Sequence, residues 1–295
     1  MQEYFFANYR LLIDEKLAER KDMKYLEGFR ESMPFAHTFT VRLGDEAELN
    51  QRYEDAMQTP VVCDTGQFLL HDARNGWSIT MPAFDHVPKT LVLSSRDYSD
   101  ITVYLDDTKI FSNLANRYID PASPFPFCVR PICEAGMTLC EGLPLHAALV
   151  EKDGYGVVFL GPSGMGKSTQ AKLWEKYLDA DFVIGDRPGF HRIDGVWYGY
   201  GMPWDGKDNI RRQKSVPVKA VVSLEQAKEN RILRLKQTEA MQVLLKQTMM
   251  PMWDKNAMNE LFKLMGSMSQ EIPFYHLKNK ADEECVELTY KEIFG

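Results

Sequence analysis

An apolar run, a glycine-rich loop and a helix pattern follow one another without interruption between residues 156 and 177. Gly156-Val-Val-Phe-Leu160 reads as a buried strand, and Gly161-Pro162-Ser163-Gly164-Met165-Gly166-Lys167-Ser168-Thr169 satisfies G-x-x-x-x-G-K-[ST]. Ser168 to Tyr177 then reads as a helix. Each position has a chemical reason. Glycines let successive N–H groups turn inward as an anion nest. The helix start adds the positive end of its dipole. Lys167 is placed to reach the β- and γ-phosphates, and the Ser168 hydroxyl to ligate Mg²⁺. The competing reading is a glycine-rich turn that contains Lys-Ser by chance. Strand before and helix after favour the phosphate loop, with ATP or another nucleoside triphosphate and Mg²⁺ as its ligands.

The loop belongs to an α/β region. Leu145 to Val150 and Gly156 to Leu160 flank Asp153-Gly154, which predicts an antiparallel hairpin with His146 on its first strand. A parallel pair would need a crossover of about a dozen residues. Downstream come strands at Phe182–Ile184, Val218–Leu224, Arg231–Leu235 and Pro273–Leu277, and a hairpin over Gly189–Tyr200 turning at Asp194-Gly195. Helices are expected at Thr238–Gln247, Asn256–Met268 and Asp282–Ile293. The first ~140 residues read differently. Short strands at Thr38–Leu43, Gln67–His71, Trp77–Met81, Leu91–Ser94 and Ile101–Leu105 are set around turn signals such as Asn75-Gly76, with one helix expected over Leu11–Tyr25. Pro121, Pro124 and Pro126 break the chain before a helix over Pro131–Cys140. The expected organisation is a β-rich N-terminal domain (1–127) and an α/β nucleotide domain of α+β character with a mixed sheet (128–295).

Charge narrows the partners. Thirty-five basic against 42 acidic residues give −7, which argues against nucleic acid or an anionic membrane as partner. Met1-Gln2-Glu3-Tyr4-Phe5 has no basic run leading into an apolar core, and no stretch reaches the ~18–20 apolar residues that span a bilayer. Five cysteines, an odd number without a C-x-x-C pair, read as reduced thiols of a cytoplasmic protein. Cys128, Cys133 and Cys140 have no histidine pair to complete a zinc site.

Among loop-bearing enzymes, a transporter ATPase needs a Leu-Ser-Gly-Gly-Gln-like signature, which does not occur. A nucleoside monophosphate kinase starts near its loop, whereas here the loop begins at residue 161. Asp186 follows Phe182-Val183-Ile184 and fits a metal-holding aspartate at a strand end, or else a turn residue capping Gly189. The loop, His146 fifteen residues before Gly161, and Ile184-Gly185-Asp186-Arg187 together make the chain resemble the HPr kinase/phosphorylase-like proteins, with Trp197–Trp204 and Leu224–Asn230 resembling a bacterial branch of them. The resemblance covers about residues 143–207. It implies a phosphoenolpyruvate carboxykinase-like P-loop domain, self-association, and Asp186, His146, Lys167 and Arg187 as catalytic groups. Two departures stand out. Gly185 replaces the family's first aspartate, and the downstream signature tied to the HPr protein is not recognisable.

Several residues carry two readings. His146 is a charge stabiliser or acid–base group beside the phosphates, or a strand histidine bonded to backbone. Arg187 contacts phosphate or acceptor, or is a solvated turn charge. Arg211 and Arg212 form an anion clamp or surface charges. Trp197, Tyr198, Tyr200 and Trp204 wall a pocket or fill a hairpin core. The methionines from Met241 to Met268 are expected to pack in the core. The expected function is an ATP- and Mg²⁺-dependent kinase acting on a hydroxyl of a peptide, protein or small molecule. The alternative is a nucleotide-binding accessory or sensor protein with little turnover.

Overall fold

The fold is described from a computed structural model, over residues 1–66, 68–82, 89–106, 129–204 and 209–295. The chain divides into two compact units, Met1–Cys140 with Pro251–Met258, and Glu141–Met250 with Asn259–Gly295. The proline-rich break, Cys128 and the expected junction at 127/128 lie outside the described residues.

The first unit is built on one mixed sheet. Its strands are β1 (Gln2–Phe6), β2 (Tyr9–Ile13), β3 (His37–Leu43), β4 (Val61–Asp64), β5 (Leu69–Ala73), β6 (Gly76–Met81), β7 (Thr90–Ser95) and β8 (Asp100–Leu105). They lie in the order β1-β2-β3-β8-β7-β6-β5-β4. Pairs β2–β3 and β3–β8 are parallel; the rest are antiparallel. The helix expected over Leu11–Tyr25 is corrected. Tyr9, Leu11 and Ile13 alternate inward at period two, which selects a strand. Asp14 then caps a four-residue helix, α1 (Glu15–Ala18), and a 3₁₀ stretch covers Lys21–Phe29. Helix α2 (Leu49–Met57) lays Leu49, Tyr53 and Ala56 against Leu91 and Tyr104 of the sheet. Helix α3 (Arg130–Leu139), with Pro131 in its first turn, matches the expected helix there.

The second unit carries the loop. Strands β9 (Gly142–Pro144), β10 (Ala147–Lys152), β11 (Tyr155–Leu160), β12 (Asp181–Ile184), β13 (Gly189–Ile193), β14 (Val196–Tyr200) and β15 (Ser215–Gln226) form the order β12-β10-β11-β15-β14-β13-β9. Strands β16 (Arg231–Arg234) and β17 (Phe274–Asn279) attach through β17, parallel to β15. The helices are α4 (Lys167–Leu178), α5 (Gln237–Gln247), α6 (Lys255–Glu271) and α7 (Glu283–Phe294). Phe159, Trp174, Phe182, Val222, Leu277, Val286 and their neighbours make the core between sheet, α4 and α7. Met265 and Met268 are buried, as expected of core methionines, whereas Met252, expected to pack likewise, is exposed. Among the described residues no helix is long and apolar enough to cross a membrane.

Candidate nucleotide site

Strand register determines what meets at one sheet edge. β10 runs antiparallel to β11, with Ala147 opposite Leu160. It also runs antiparallel to β12, with Leu149 opposite Ile184. β11 and β12 therefore point the same way, and the segments leaving them emerge at one edge, on either side of the start of β10. The segment leaving β11 is Gly161 to Gly166; that leaving β12 is Gly185-Asp186-Arg187. His146 stands between them. It immediately precedes β10 rather than lying on it, as the sequence led us to expect. The chain is held off β11 there because Leu145 N–H donates to the Pro188 carbonyl at 3.3 Å and His146 N–H to that of Gln247 at 2.7 Å.

The loop has the backbone its sequence calls for. Gly164 (φ 81°) and Gly166 (φ 100°) sit in the left-handed region, where a side chain would strain the turn. Gly166 is the N-cap of α4 and offers no side-chain cap, so the first N–H groups of the helix face the loop. Lys167 is 8% exposed, and its Nζ donates to the Gly161 carbonyl at 2.7 Å and to that of Pro162 at 3.4 Å. Burial lowers its pKa below the ordinary lysine value; the Asp186 carboxylate opposes that shift and the Arg187 guanidinium reinforces it. Gln226, at the end of β15, donates from Nε2 to the Gly164 carbonyl at 3.1 Å and ties the loop's apex to the parallel strand. No motif marks Gln226; only the length of β15 places it there.

Asp186 faces this loop. Its Oδ1 is buried and accepts no hydrogen bond, while His146 Nε2 lies 3.4 Å away. A buried carboxylate oxygen without a donor is costly unless a cation or donor completes it. The turn is fixed on both sides, by Gly185 N–H donating to the Ile210 carbonyl at 3.1 Å and by the Leu145–Pro188 bond. Arg187, between them, has φ 56°.

The other sequence candidates separate. Arg212 Nη1 pairs with Asp181 Oδ1 at 2.8 Å, and Lys214 pairs with Asp181 and Glu151. Arg212 is thus half of an ion pair flanking β12 and not part of an anion clamp. Arg211 Nη1 donates to Asn209 Oδ1 at 2.7 Å. Trp197, Tyr200 and Trp204 are buried, and Trp197 and Tyr200 pack within the β13–β14 hairpin region. Burial, with Tyr198 beside it, pushes the Tyr200 phenol up to about 12. Asp205 and Asp208, potential extra carboxylates in the loop after Trp204, lie outside the described residues.

The family model of the SynChlorMet cassette protein ScmC matches residues 128–287, more than half of the chain. The chain belongs to the ScmC family. This match corrects the resemblance to HPr kinase/phosphorylase-like proteins, because no model of that family or of another P-loop family matches. The physical reason is that G-x-x-x-x-G-K-[ST] encodes a backbone shape for phosphate, and a shape of that kind does not specify a lineage. Gly185 and the missing downstream signature mark the same divergence. The ScmC match spans the loop, His146, Asp186 and Arg187. No curated protein matches the chain.

Proposed function

We propose that this chain binds a nucleoside triphosphate with Mg²⁺ and transfers its terminal phosphoryl group to a hydroxyl of a peptide, protein or small molecule. One observation carries the reading. A complete phosphate loop and a carboxylate with one buried, unbonded oxygen leave the sheet at the same edge, with a histidine between them. The loop amides and the start of α4 bind the phosphates. Lys167 exchanges its carbonyl partners for phosphate oxygens, which leaves its buried charge better compensated than it is alone. Ser168 and Asp186 would hold Mg²⁺; when bound, that ion supplies positive charge to the phosphate oxygens. Their chemistry fits, since both offer oxygen to a hard cation and Asp186 Oδ1 lacks a donor. His146, 3.4 Å from Asp186, is positioned to accept the acceptor's proton or pass it on. At the level of fold, β11 has an antiparallel neighbour on one side and a parallel one on the other. That supports a phosphoenolpyruvate carboxykinase-like nucleotide domain. A cytoplasmic setting suits the reading, with Cys63, Cys133 and Cys285 in no disulfide.

A second reading rests on Gly185. Its absence of a side chain leaves Asp186 as the single carboxylate on the turn after β12. A nucleotide-binding accessory or sensor protein would need no more. Calorimetry with MgADP, followed by γ-labelled ATP with a peptide library and with small alcohols, separates the cases. Binding with label transfer supports the kinase, and binding without transfer supports the accessory protein. Absence of any MgADP or MgATP binding refutes both.

A further inference from the structure

Within that nucleotide reading, on which the inference rests, we propose that the Asp282 carboxylate reads the base of the bound nucleotide, accepting from the N1–H and 2-amino groups of guanine, so that the site prefers guanine to adenine nucleotides. Asn279-Lys280-Ala281-Asp282 satisfies N-K-x-D, the pattern by which GTP-binding proteins with a phosphate loop read guanine. A pattern of three fixed residues recurs by chance, so its placement decides. Strands β11, β15 and β17 are successive parallel neighbours and leave the sheet at one edge, the carboxyl edge at which open α/β sheets hold their ligands. The phosphate loop follows β11, and Lys280 to Asp282 follow β17. Two strand spacings, about 10 Å, separate them, a gap that a ribose and base extending from the loop can cross.

Side chains tie the motif to the loop across that gap. Gln226, which holds the Gly164 carbonyl at the loop's apex, stands opposite Asn279 in the β15–β17 register. From α4, Gln170 donates from Nε2 to Asn279 Oδ1 at 3.2 Å. Gln170 is wholly buried and its Oε1 accepts no hydrogen bond, so one acceptor where α4 meets the motif lacks a donor. Asn279 is 4% exposed, with Nδ2 on the Glu225 carbonyl at 3.1 Å. It fastens the segment, and recognition falls to Asp282. The two oxygens of Asp282 differ. Oδ1 accepts from Cys285 N–H at 3.1 Å, capping α7, and from Asn230 Nδ2 at 2.9 Å. Capping accounts for that oxygen alone. Oδ2 faces Lys280 Nζ at 3.4 Å on a side chain that is 35% exposed, which leaves it lone-pair capacity for a ligand. The bonds to Oδ1 fix the carboxylate in advance of binding. A carboxylate only accepts. Guanine offers it two adjacent donors, whereas adenine offers a bare ring nitrogen in their place, which repels it.

The test compares affinities of the full chain and of Asp282→Asn for MgGDP, MgADP and MgXDP, whose xanthine base carries an oxygen where guanine carries the 2-amino group. Asparagine caps a helix as well as aspartate does, so α7 keeps its start, while one carboxylate oxygen becomes an amide donor that suits xanthine. We expect wild type to bind MgGDP about 10–100-fold more tightly than MgADP, which the loop still holds by its phosphates. Asp282→Asn should weaken MgGDP about tenfold, strengthen MgXDP about tenfold and change MgADP less than about threefold. A merely structural role for Asp282 would move the three affinities together. If wild type binds MgADP at least as tightly as MgGDP, or if Asp282→Asn does not shift preference from MgGDP towards MgXDP, the inference is overturned and the nucleotide site stands. If wild type binds neither MgGDP nor MgADP, the nucleotide reading itself falls and takes this inference with it.

Discussion

Replacing Lys167 by methionine keeps the length of the side chain and removes its charge, and its consequences for stability and binding differ in size. In the free protein the ammonium is buried and held by two loop carbonyls, at 2.7 and 3.4 Å. Only the first is a short bond. Removing it costs about 1–3 kcal/mol, and relieving the desolvation of the charge returns part of that. The net change in stability should stay within about 1–2 kcal/mol, a shift of a few degrees in Tm for a unit of this size. Binding has no such offset. Charge-assisted bonds from one lysine to phosphate oxygens are worth about 1.5–3 kcal/mol each, so losing one or two lowers MgATP affinity by about 10–10⁴-fold. A pH signature accompanies this. Burial sets the folded pKa of Lys167 below its unfolded value of 10.5. Between those two values the unfolded chain binds more protons, so this group makes stability rise with pH across that window. In Lys167→Met that component of the rise should vanish. Calorimetric MgATP titration and thermal melts between pH 7 and pH 10.5 check both halves. A folded Lys167→Met protein with wild-type MgATP affinity would refute the phosphate-loop assignment.

Other expectations are shorter. Asp186→Asn should lower any phosphoryl transfer by about 10²–10⁴-fold while reducing MgATP affinity only modestly, because the loop still holds the phosphates; wild-type transfer in this variant counts against the site as drawn. Gly166→Ala meets no close neighbour, the nearest atom being Thr169 Cβ at 3.9 Å, so its cost of about 1–2 kcal/mol comes from φ 100° alone; a melt within half a degree of wild type would contradict that. In the first unit, the Tyr98 hydroxyl donates to Asp254 Oδ2 at 2.9 Å and accepts from Trp253 Nε1 at 3.0 Å. Tyr98→Phe leaves buried Asp254 and half-buried Trp253 each short of a bond and should lower stability by about 2–3 kcal/mol, read by urea denaturation. Nucleotide affinity should not change with it.

Much of the second unit was legible because its turns announce themselves. Asp153-Gly154 and Asp194-Gly195 adopt positive φ at both positions, 52° and 82°, 49° and 84°, the geometry that Asp-Gly pairs favour in two-residue hairpins. The β1–β2 hairpin escaped notice because Ala7 and Asn8 take the same conformation, φ 45° and 70°, without a glycine. Strand β15 starts at Ser215, not at the expected Val218. Pro217 stands where β15 changes partner, opposite Tyr198 of β14 and one residue before Val218 meets Gly156 of β11. A missing N–H is tolerated at such a changeover. The segment beside β12 left no trace either. Ile210 to Arg212 lies against it through the Gly185–Ile210 and Arg212–Val183 bonds, yet it offers one apolar residue, and the ion pairs of Arg212 and Lys214 with Asp181 show in no periodicity.

The site follows the same division. Its loop is chemistry written contiguously, nine residues whose spacing is the mechanism, and any chain carrying them after a strand can be read. Its remaining groups are contributed by register: His146, Asp186 and Gln226 meet the loop only because β10, β12 and β15 end where they do. Charge makes the same point. The protein carries −7 overall, so its net charge opposes a polyanionic ligand, and salt screens that opposition beyond a Debye length, about 8–10 Å in physiological salt. On the proposed reading, attraction has to come from inside that distance, from backbone amides, the start of α4 and Lys167. Composition could not disclose an anion site of this kind, because the average charge of the chain has the opposite sign to the few groups that would bind.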